Sequence, residues 1–299
     1  MEFGRLITAM ITPFDENLQV DWEQTKRLID YLIDEQKSDS LVVCGTTGES
    51  PTLTEEEKLG LFELAVRQAK GRCKIIAGTG SNNTMQSVQL SKKAQEIGVD
   101  GLLLVSPYYN RPSEEGLFRH FKTIAEAVSL PIMIYNVPSR TGVKISVQTT
   151  LKLAQIPNIV ATKESTADLD QVTQLVQSAP EHFKVYSGDD NMTLPMMSVG
   201  GYGVVSVASH VRGKEIKEMM EAFLQGDVKR AAKLHGQLHP IFKGLFECPH
   251  RVPNPVPVKY ALSLHGFDSQ RVRLPLVEAT EAEREFIRNL FSSTVAQKV

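Results

Sequence analysis

Asn158-Ile-Val-Ala-Thr-Lys163-Glu-Ser165 predicts a short buried strand that ends in a lysine. The four residues before Lys163 are apolar or β-branched, which is typical of a strand covered on both faces in a parallel sheet. Lys163 follows where this strand meets a loop. Because an isolated buried ammonium group is costly, Lys163 must either pair with a carboxylate or lose its proton.

These two outcomes for Lys163 predict different functions. A neutral lysine amine in a desolvated site is the group that forms a Schiff base with a keto acid. A structural lysine is instead paired with an acid, and Glu164 is the adjacent candidate. For a lysine considered alone, the structural interpretation is the commoner one. The remainder of the chain decides whether other reactive groups accompany Lys163.

Short apolar runs alternate with amphipathic segments from residue 5 onward. The predicted strands cover residues 6–12, 41–44, 74–77, 101–106, 131–135, 159–163, 184–187 and 203–206. The predicted helices cover residues 21–34, 54–69, 84–97, 114–128, 146–154, 168–178 and 193–198, with N-caps at Asp21 and Thr54. About eight β–α units without a composition break predict an α/β fold, closed as a (β/α)8 TIM barrel, with a doubly wound open sheet as the alternative.

The C-terminal part of the chain is longer than one outer barrel helix requires. Helical patterns over 214–224, 228–236, 258–264 and 281–291 predict a last barrel helix followed by a small helical C-terminal extension. We therefore divide the chain into a barrel over residues 1–212 and the last helix with its extension over 213–299. The run Pro-His-Arg-Val-Pro-Asn-Pro-Val-Pro over 249–257 predicts an extended loop within that extension.

Composition excludes several classes of partner. The 299 residues are 41% hydrophobic and 23% charged, with a net charge of −2 and a pI near 6.4. This balance argues against nucleic acid or an anionic membrane as the main partner, and no apolar run approaches the roughly 20 residues of a membrane span. Cys44, Cys73 and Cys248 are odd in number and widely spaced. Together with an N-terminus that lacks a signal-peptide pattern, they lead us to expect a cytoplasmic protein with reduced thiols.

Barrel active sites lie at the carboxyl ends of the strands, so the loops after the strands hold the candidate site residues. Gly45-Thr46-Thr47-Gly48-Glu49-Ser50 follows the second strand. Its hydroxyls and glycines suit close binding of a small anion, although a polar turn closed by glycines is equally consistent. Tyr108 and Tyr109 follow the fourth strand beside prolines, a pattern more typical of interface packing than of chemistry.

Tyr135-Asn136-Val137-Pro138-Ser139-Arg140-Thr141-Gly142 follows the fifth strand. A tyrosine at a strand end beside a neutral lysine could move protons, and an arginine guanidinium could hold a carboxylate. A core tyrosine and a surface arginine are the structural alternative. After the seventh strand, Ser187-Gly188-Asp189-Asp190 is compact enough for its backbone to face a ligand. His235 and His239 share a helical spacing but have no third ligand near them, so we expect a solvated helix face and no metal.

Together these motifs closely resemble the dihydrodipicolinate synthase (4-hydroxy-tetrahydrodipicolinate synthase) family. That family belongs, with N-acetylneuraminate lyase, to the pyruvate-dependent class I aldolase superfamily. The resemblance runs from Thr8-Ala-Met-Ile-Thr-Pro-Phe14 to Asn254-Pro-Val-Pro-Val-Lys259. The strand-end lysine and Gly-x-Thr-Gly-Glu mark the superfamily, whereas the second threonine and Pro138-Ser-Arg-Thr-Gly142 indicate the synthases.

The resemblance implies a catalytic role for five side chains, Thr46 and the four described next. Lys163 would form the imine with pyruvate, and Tyr135 would be the acid and base that moves protons to and from the intermediates. Thr47 would link Tyr135 to Tyr109, which in this family reaches in from a neighbouring subunit. A chain of hydroxyl groups is polarised cooperatively, so such a relay is physically reasonable for a phenol at neutral pH.

The resemblance also implies how the substrates bind. Thr46 and Thr47 would hold the carboxylate of pyruvate, helped by the turn at Gly188 and the backbone carbonyl side of Val205. Arg140 would bind the carboxylate of L-aspartate 4-semialdehyde. The pyruvate enamine would then attack the aldehyde, as in diaminopimelate and lysine biosynthesis, without a metal or a dissociable cofactor.

Regulation and assembly are further implications. Ser50, Asn82 and Tyr108 match the effector cleft of the family, whereas Lys58 and Gln86 replace a histidine and a glutamate found in lysine-inhibited members. Because a cation at Lys58 repels the amino groups of lysine, we expect weak or absent feedback inhibition. A tyrosine supplied by a neighbour requires at least a dimer, and the family implies a homotetramer built as a dimer of dimers.

Two other functions are compatible with part of this pattern. A sister aldolase that splits N-acetylneuraminate or a keto-deoxy sugar acid would use the same lysine, but it would usually lack Arg140 and the second threonine. A non-catalytic keto-acid-binding barrel would not require the combination of Lys163, Tyr135, Thr47 and Tyr109. The sequence therefore favours the synthase reaction.

Overall fold

Eight parallel strands form a closed barrel in the computed structural model, which describes residues 3–296. Each strand pairs with its neighbour in chain order, and β8 pairs with β1 to complete the ring. The strands are β1 Leu6–Ala9, β2 Ser40–Val43, β3 Lys74–Gly78, β4 Gly101–Val105, β5 Ile132–Asn136, β6 Ile159–Glu164, β7 Lys184–Ser187 and β8 Gly203–Ser206. The predicted (β/α)8 barrel is confirmed, and the open-sheet alternative is wrong.

Helices surround the barrel and continue beyond it. Those following the strands are α1 Trp22–Asp34, α2 Glu55–Ala69, α3 Thr84–Ile97, α4 Glu114–Glu126, α5 Pro138–Thr141, α6 Val147–Leu153, α7 Leu169–Ser178, α8 Thr193–Ser198 and α9 Ser209–Leu224. The extension contains α10 Val228–Gly244, α11 Val256–Ser263 and α12 Glu281–Ala296. Within residues 3–296, no helix combines the length and the hydrophobicity needed to cross a bilayer.

Local sequence signals explain where several helices begin. The Asp21 carboxylate accepts a hydrogen bond from the Gln24 amide and caps α1. Thr54 and Glu57 form a reciprocal capping box at the start of α2, as the sequence predicts. These caps satisfy amide groups that have no partner within the helix, so each helix starts at a defined residue.

Two layers of apolar side chains hold the barrel together. The inner layer fills the barrel itself and includes Ile7, Val42, Met133 and Val205. The outer layer is larger and packs the other faces of the strands against the helices. Because successive strand side chains point to opposite faces, each strand contributes alternately to the two layers.

The differences from prediction occur where tertiary contacts override local pattern. β1 ends at Ala9 rather than at Thr12, whose hydroxyl donates to the carbonyl of Gly48 in the loop after β2. α10 continues to Gly244 rather than ending at 236, since Leu238 and Phe242 bury its continuing face. α11 starts at Val256, so the extended loop predicted over 249–257 ends two residues early. Pro257 is tolerated in α11 because a proline fits the first turn of a helix.

The last barrel helix contains a kink at the predicted boundary. α9 starts at Ser209 rather than 213, but Arg212 has non-helical dihedral angles, φ −142° and ψ 26°, that divide the helix in two. The second part begins at Gly213, where a Cβ atom would lie 2.4 Å from the carbonyl oxygen of Gln36. Glycine therefore allows α9 to approach the end of α1, and the division of the chain at 212/213 stays a prediction.

Candidate active site

Lys163 and Tyr135 lie side by side at the carboxyl ends of β6 and β5. The two residues are register partners in the sheet, and both side chains are 5% exposed. The Lys163 Nζ lies 4.2 Å from the centroid of the Tyr135 ring. Among the described residues Lys163 forms no ion pair with a carboxylate. The amine is therefore buried without a carboxylate partner, an arrangement that suits a Schiff-base nucleophile better than a structural cation held in an ion pair.

Glu164 faces the opposite side of β6 from Lys163, so the interpretation that the two residues pair is wrong. Its carboxylate is 1% exposed and accepts hydrogen bonds from Thr162 Oγ1 at 2.8 Å, Asn136 Nδ2 at 3.0 Å and Gln171 Nε2 at 3.0 Å. Burial raises the pKa of Glu164 to about 7, an effect that these donors oppose.

A cavity of about 130 Å³ opens at this end of the barrel and brings most of the predicted residues together. Thr46, Thr47, Tyr135, Arg140, Lys163 and Gly188 all line it. Sequence reasoning assigned no role to the other lining residues, Val137, Ser139, Ser165, Asp189, Val207, Phe246, Arg251 and Asn254. Asp189 belongs to a compact loop that the sequence did single out, whereas Arg251 and Asn254 belong to a proline-rich run with no local sign of a ligand.

Gly188 is required at its position for a steric reason. A Cβ atom there would lie 2.0 Å from Ser165 Oγ and 2.9 Å from Lys163 Cε. The absence of a side chain therefore leaves room for the lysine chain beside the cavity. The Gly188 amide donates to the Glu164 carbonyl at 2.8 Å, which ties this turn to the end of β6.

Two neighbouring carboxyl groups extend the polar surroundings of the lysine. Burial raises the pKa of Asp189, while the positive charges of Lys163 and Arg140 oppose that change. Burial also raises the pKa of Asp190, whose Oδ2 accepts from the amides of Val207 at 3.1 Å and Ala208 at 2.9 Å. Asp190 thus holds the loop after β8 in place behind the cavity.

The loop after β2 presents its two threonines to the cavity. Thr47 is 2% exposed, and its Oγ1 accepts a hydrogen bond from Asn254 Nδ2 at 3.0 Å. Within the part of the chain that the structure describes, no hydrogen bond joins Thr47 to Tyr135. The proposed hydroxyl relay therefore stays a prediction for the liganded, assembled protein.

Tyr109 and Val205 are not among the residues that line the cavity. Tyr109 is 90% exposed, at φ +73°, and the Asn110 amide donates to the Tyr108 carbonyl across it at 2.9 Å. This is a strained three-residue turn that directs Tyr109 outward. The side chain of Val205 packs inside the barrel, and Val207, two residues later, lines the cavity instead.

A second cavity of about 290 Å³ adjoins the first and shares Thr46, Tyr135, Val137 and Arg140 with it. Of the predicted effector residues, Ser50, Lys58 and Tyr108 line this cavity, whereas Asn82 and Gln86 do not. Burial lowers the pKa of Lys58 from its ordinary value. No carboxylate is among the residues that line this second cavity.

Within the described residues, no group of three or more His, Cys, Asp or Glu side chains could hold a metal ion. The rings of His235 and His239 lie next to each other on α10, with centroids 5.9 Å apart and planes tilted by 59°. Burial lowers the pKa of His235, and its Nδ1 is buried without a hydrogen-bond partner.

Comparison with known proteins gives a consistent result along the chain. The model of the dihydrodipicolinate synthetase family matches residues 2–294. A 4-hydroxy-tetrahydrodipicolinate synthase from Halalkalibacterium halodurans is 55% identical over 95% of both chains, and one from Bacillus subtilis is 53% identical over 99% of this chain and all of the relative. The crystal structure of a dihydrodipicolinate synthase from Bacillus anthracis superimposes with a TM-score of 0.95 at 50% identity, covering 98% of this chain and 99% of the other.

Proposed function

The chain belongs to the dihydrodipicolinate synthetase family, and from this premise we propose that it condenses pyruvate with L-aspartate 4-semialdehyde to 4-hydroxy-tetrahydrodipicolinate. It is an enzyme of the Schiff-base class I aldolase type that serves diaminopimelate and lysine biosynthesis. The observation that carries the proposal is the unpaired, buried amine of Lys163 against Tyr135 at the floor of a polar cavity.

The first step joins Lys163 to pyruvate. The amine attacks the keto carbon, and the carbinolamine then loses water to give the imine. Tyr135 lies beside the amine and exchanges the protons that this step requires. Thr46 and Thr47 hold the pyruvate carboxylate, and the bare backbone of Gly188 leaves space next to the new bond.

The second step forms the carbon–carbon bond. The imine withdraws electrons, so the former methyl group of pyruvate loses a proton and becomes an enamine carbon. This carbon attacks the aldehyde of L-aspartate 4-semialdehyde, and Tyr135 protonates the resulting alkoxide. Arg140 holds the carboxylate of this second substrate from the rim that the two cavities share.

Release completes the reaction. The amino group of the bound semialdehyde attacks the imine carbon, displaces Lys163 and closes the six-membered ring. The imine is itself the electron sink, so the reaction needs neither a metal nor a dissociable cofactor. Val205 contributes through the backbone carbonyl side of β8 rather than through its side chain, which is buried in the barrel.

The setting of the reaction is also part of the proposal. We infer a cytoplasmic homotetramer, assembled as a dimer of dimers, in which Tyr109 of one subunit completes the site of another. The strained turn and 90% exposure of Tyr109 support this role, because an outward-facing tyrosine is available to a neighbouring chain. Thr47 then connects Tyr135 to the incoming hydroxyl group.

A coupled assay tests the reaction. Pyruvate and L-aspartate 4-semialdehyde are supplied with dihydrodipicolinate reductase, and loss of NADPH reports product. We expect turnover that Lys163→Ala abolishes, and a KM for the semialdehyde that Arg140→Ala raises by about 10- to 100-fold.

Arg119→Ala is the matched control, because Arg119 pairs with Glu115 on the surface of α4, away from both cavities. Normal turnover in Lys163→Ala would overturn the proposal. Absence of turnover together with a pyruvate adduct on Lys163 would instead assign the same imine chemistry to a sugar-acid aldolase. Absence of both would indicate a non-catalytic binder.

A further inference from the structure

The loop that carries Thr46 and Thr47 is held by the C-terminal extension through a buried ion pair. Lys259 Nζ lies 2.5 Å from Glu49 Oε1, and the two side chains are 0% and 1% exposed. Lys259 also donates to the carbonyl of Arg271 at 2.6 Å and lies 4.2 Å from the centroid of the Phe14 ring. Burial lowers the pKa of Lys259 to about 8, while the carboxylate of Glu49 opposes that change.

The second oxygen of Glu49 is bound by the same extension. The Arg273 amide donates to Glu49 Oε2 at 3.0 Å. The Arg273 guanidinium makes two hydrogen bonds to Glu57, at 2.8 Å and 2.6 Å, and a third to the carbonyl of Thr52. The extension is therefore hydrogen-bonded both to the end of the loop after β2 and to the start of α2.

The backbone of the loop shows why it requires these contacts. Glu49 has φ +55°, a left-handed conformation that is costly for a residue with a side chain. Gly48 precedes it, and a Cβ atom there would lie 3.1 Å from the carbonyl oxygen of Met10. A chain held in so restricted a conformation depends on partners that determine it, and several of them come from more than 200 residues away.

Asn254 makes the most direct contact between the extension and the site. Its Nδ2 donates to Thr47 Oγ1, while its Oδ1 is buried without a hydrogen-bond partner. The side chain is 7% exposed and lines the cavity that contains Lys163. Because the Thr47 oxygen already accepts from Asn254, the Thr47 proton is free to point toward another acceptor. In the proposed relay, the Asn254 amide would therefore set the direction of the Thr47 hydroxyl.

We infer that Lys259 and Asn254 are positioning residues of the active site, which hold Thr46 and Thr47 in the geometry that binds the pyruvate carboxylate and directs the Thr47 hydroxyl proton. The inference rests on the proposed function, since it concerns the same loop and substrate. It assigns the extension a role in catalysis that a purely structural appendage would not have.

A purely structural role predicts a different outcome when the ion pair is removed. Replacing both members of a buried pair by neutral groups of similar size is often tolerated, whereas removing one member leaves a buried charge. The double variant Glu49→Gln/Lys259→Met is therefore expected to keep the fold, because its new side-chain amide oxygen can still accept from the Arg273 amide. Lys259→Met alone leaves Glu49 uncompensated and is not an informative variant by itself.

The first test measures the double variant against pyruvate. We expect a thermal midpoint close to that of the wild type, a pyruvate KM raised about tenfold, and slower trapping of the Lys163 imine by borohydride. The matched control is Arg284→Met, which breaks the ion pair to Glu278 within the extension but does not contact the loop. The control is expected to keep the wild-type KM.

The second test uses Asn254→Asp, which is nearly isosteric but cannot donate to Thr47 when ionised. Thr47 must then donate its hydroxyl proton to the new carboxylate, so this proton is no longer available to the relay. We expect kcat to fall about tenfold near pH 8 and to recover toward the wild-type value as the pH is lowered and the carboxyl group regains its proton. A role confined to folding would lower activity without changing the pH profile in this way.

The outcomes separate this inference from the proposed function. A wild-type protein that forms no pyruvate imine contradicts the proposed function. A wild-type protein that forms the imine, with a double variant whose pyruvate KM is unchanged and an Asn254→Asp variant that keeps the wild-type pH profile, overturns the inference alone.

Discussion

Lys163 and Glu164 lie on opposite faces of one strand, and this alternation gives two neighbouring ionisable groups separate functions. The lysine enters the cavity without a carboxylate partner, while the glutamate is buried outside the barrel among neutral donors. An ion pair between them would have removed the free amine. The side-chain period of two in a strand is therefore what makes the nucleophile available.

Gly188 tests the importance of space beside the lysine. Its backbone conformation is open to other residues, so the effect of Gly188→Ala is steric: the new Cβ atom meets Ser165 and displaces the side chain of Lys163. We expect kcat/KM to fall roughly 100-fold with little change in thermal midpoint. Gly236→Ala is the control, because a Cβ atom there meets nothing within 4 Å. Wild-type activity in Gly188→Ala would contradict the placement of the amine.

Glu164 predicts a dependence of stability on pH. Folding raises the pKa of Glu164 from 4.5 to about 7, so ionisation of this carboxyl group is disfavoured in the folded state. The stability associated with the neutral form is therefore present below pH 4.5 and lost as the pH rises through 7. Glu164→Gln removes this loss. Its amide can donate to Thr162 while its oxygen accepts from Asn136 and Gln171, so the variant should be more stable at pH 8 by on the order of 3 kcal/mol.

Thermal midpoints measured at about pH 5 and pH 8 check this prediction. The control Glu63→Gln changes an exposed carboxylate on α2 and is expected to leave the pH dependence unaltered. A Glu164→Gln variant that is no more stable than the wild type at pH 8 would show that the buried carboxylate is not penalised.

At the scale of elements, local sequence determines what the chain forms and tertiary contacts determine where some elements end. The bounds of α3, α8, β7 and β8 agree with prediction, and α3 is capped locally by Asn83, whose side chain accepts from the amides of Met85 and Gln86. The kink at Arg212 and the continuation of α10 past Gly236 depend on packing against distant elements. The same distinction applies to the site.

The strand-end lysine, the tyrosine and the paired threonines were predictable because each belongs to a recognisable local motif at the end of a strand. Arg251 and Asn254 were not, because only folding of the extension over the barrel brings the proline-rich loop to the cavity. The same holds for the Lys259–Glu49 pair, whose members lie at distant positions in the sequence. Contacts of this kind leave no periodic or spacing signal in a single sequence.

The elements around the second cavity predict the response to lysine. Lys58 on α2 lines that cavity, and no acidic residue among its lining residues is available to bind an amino group. We therefore expect millimolar lysine to leave the rate of the coupled assay nearly unchanged. Lys58→His, which replaces this cation with the residue of lysine-inhibited family members, should gain inhibition. Strong inhibition of the wild type would contradict this prediction.

At the scale of the whole molecule, the site is larger than one barrel. The C-terminal extension contacts the loop after β2 of the same chain, whereas the side chain of Tyr109 is directed away from its own chain. If Tyr109 acts on a neighbouring subunit, no isolated chain contains a complete hydroxyl relay. Assembly is then a requirement of the chemistry as well as of stability.

Mixed oligomers test this requirement. Tyr109→Phe and Lys163→Ala are each expected to reduce activity strongly. A hybrid dimer of the two contains one site with an intact Lys163 and a Tyr109 supplied by the other subunit, so refolding a mixture should restore activity well above that of either parent. Separately refolded parents are the control. Failure of the hybrids to regain activity, despite their formation, would place Tyr109 in its own subunit's site or outside catalysis.

The covalent intermediate on Lys163 is the central claim, and trapping it is the most direct test. Incubation with pyruvate and borohydride, followed by peptide mass analysis, should find the reduced pyruvate adduct on Lys163 and lose it in Lys163→Ala. An adduct on another residue such as Lys259, or full turnover with no adduct at all, would contradict the account.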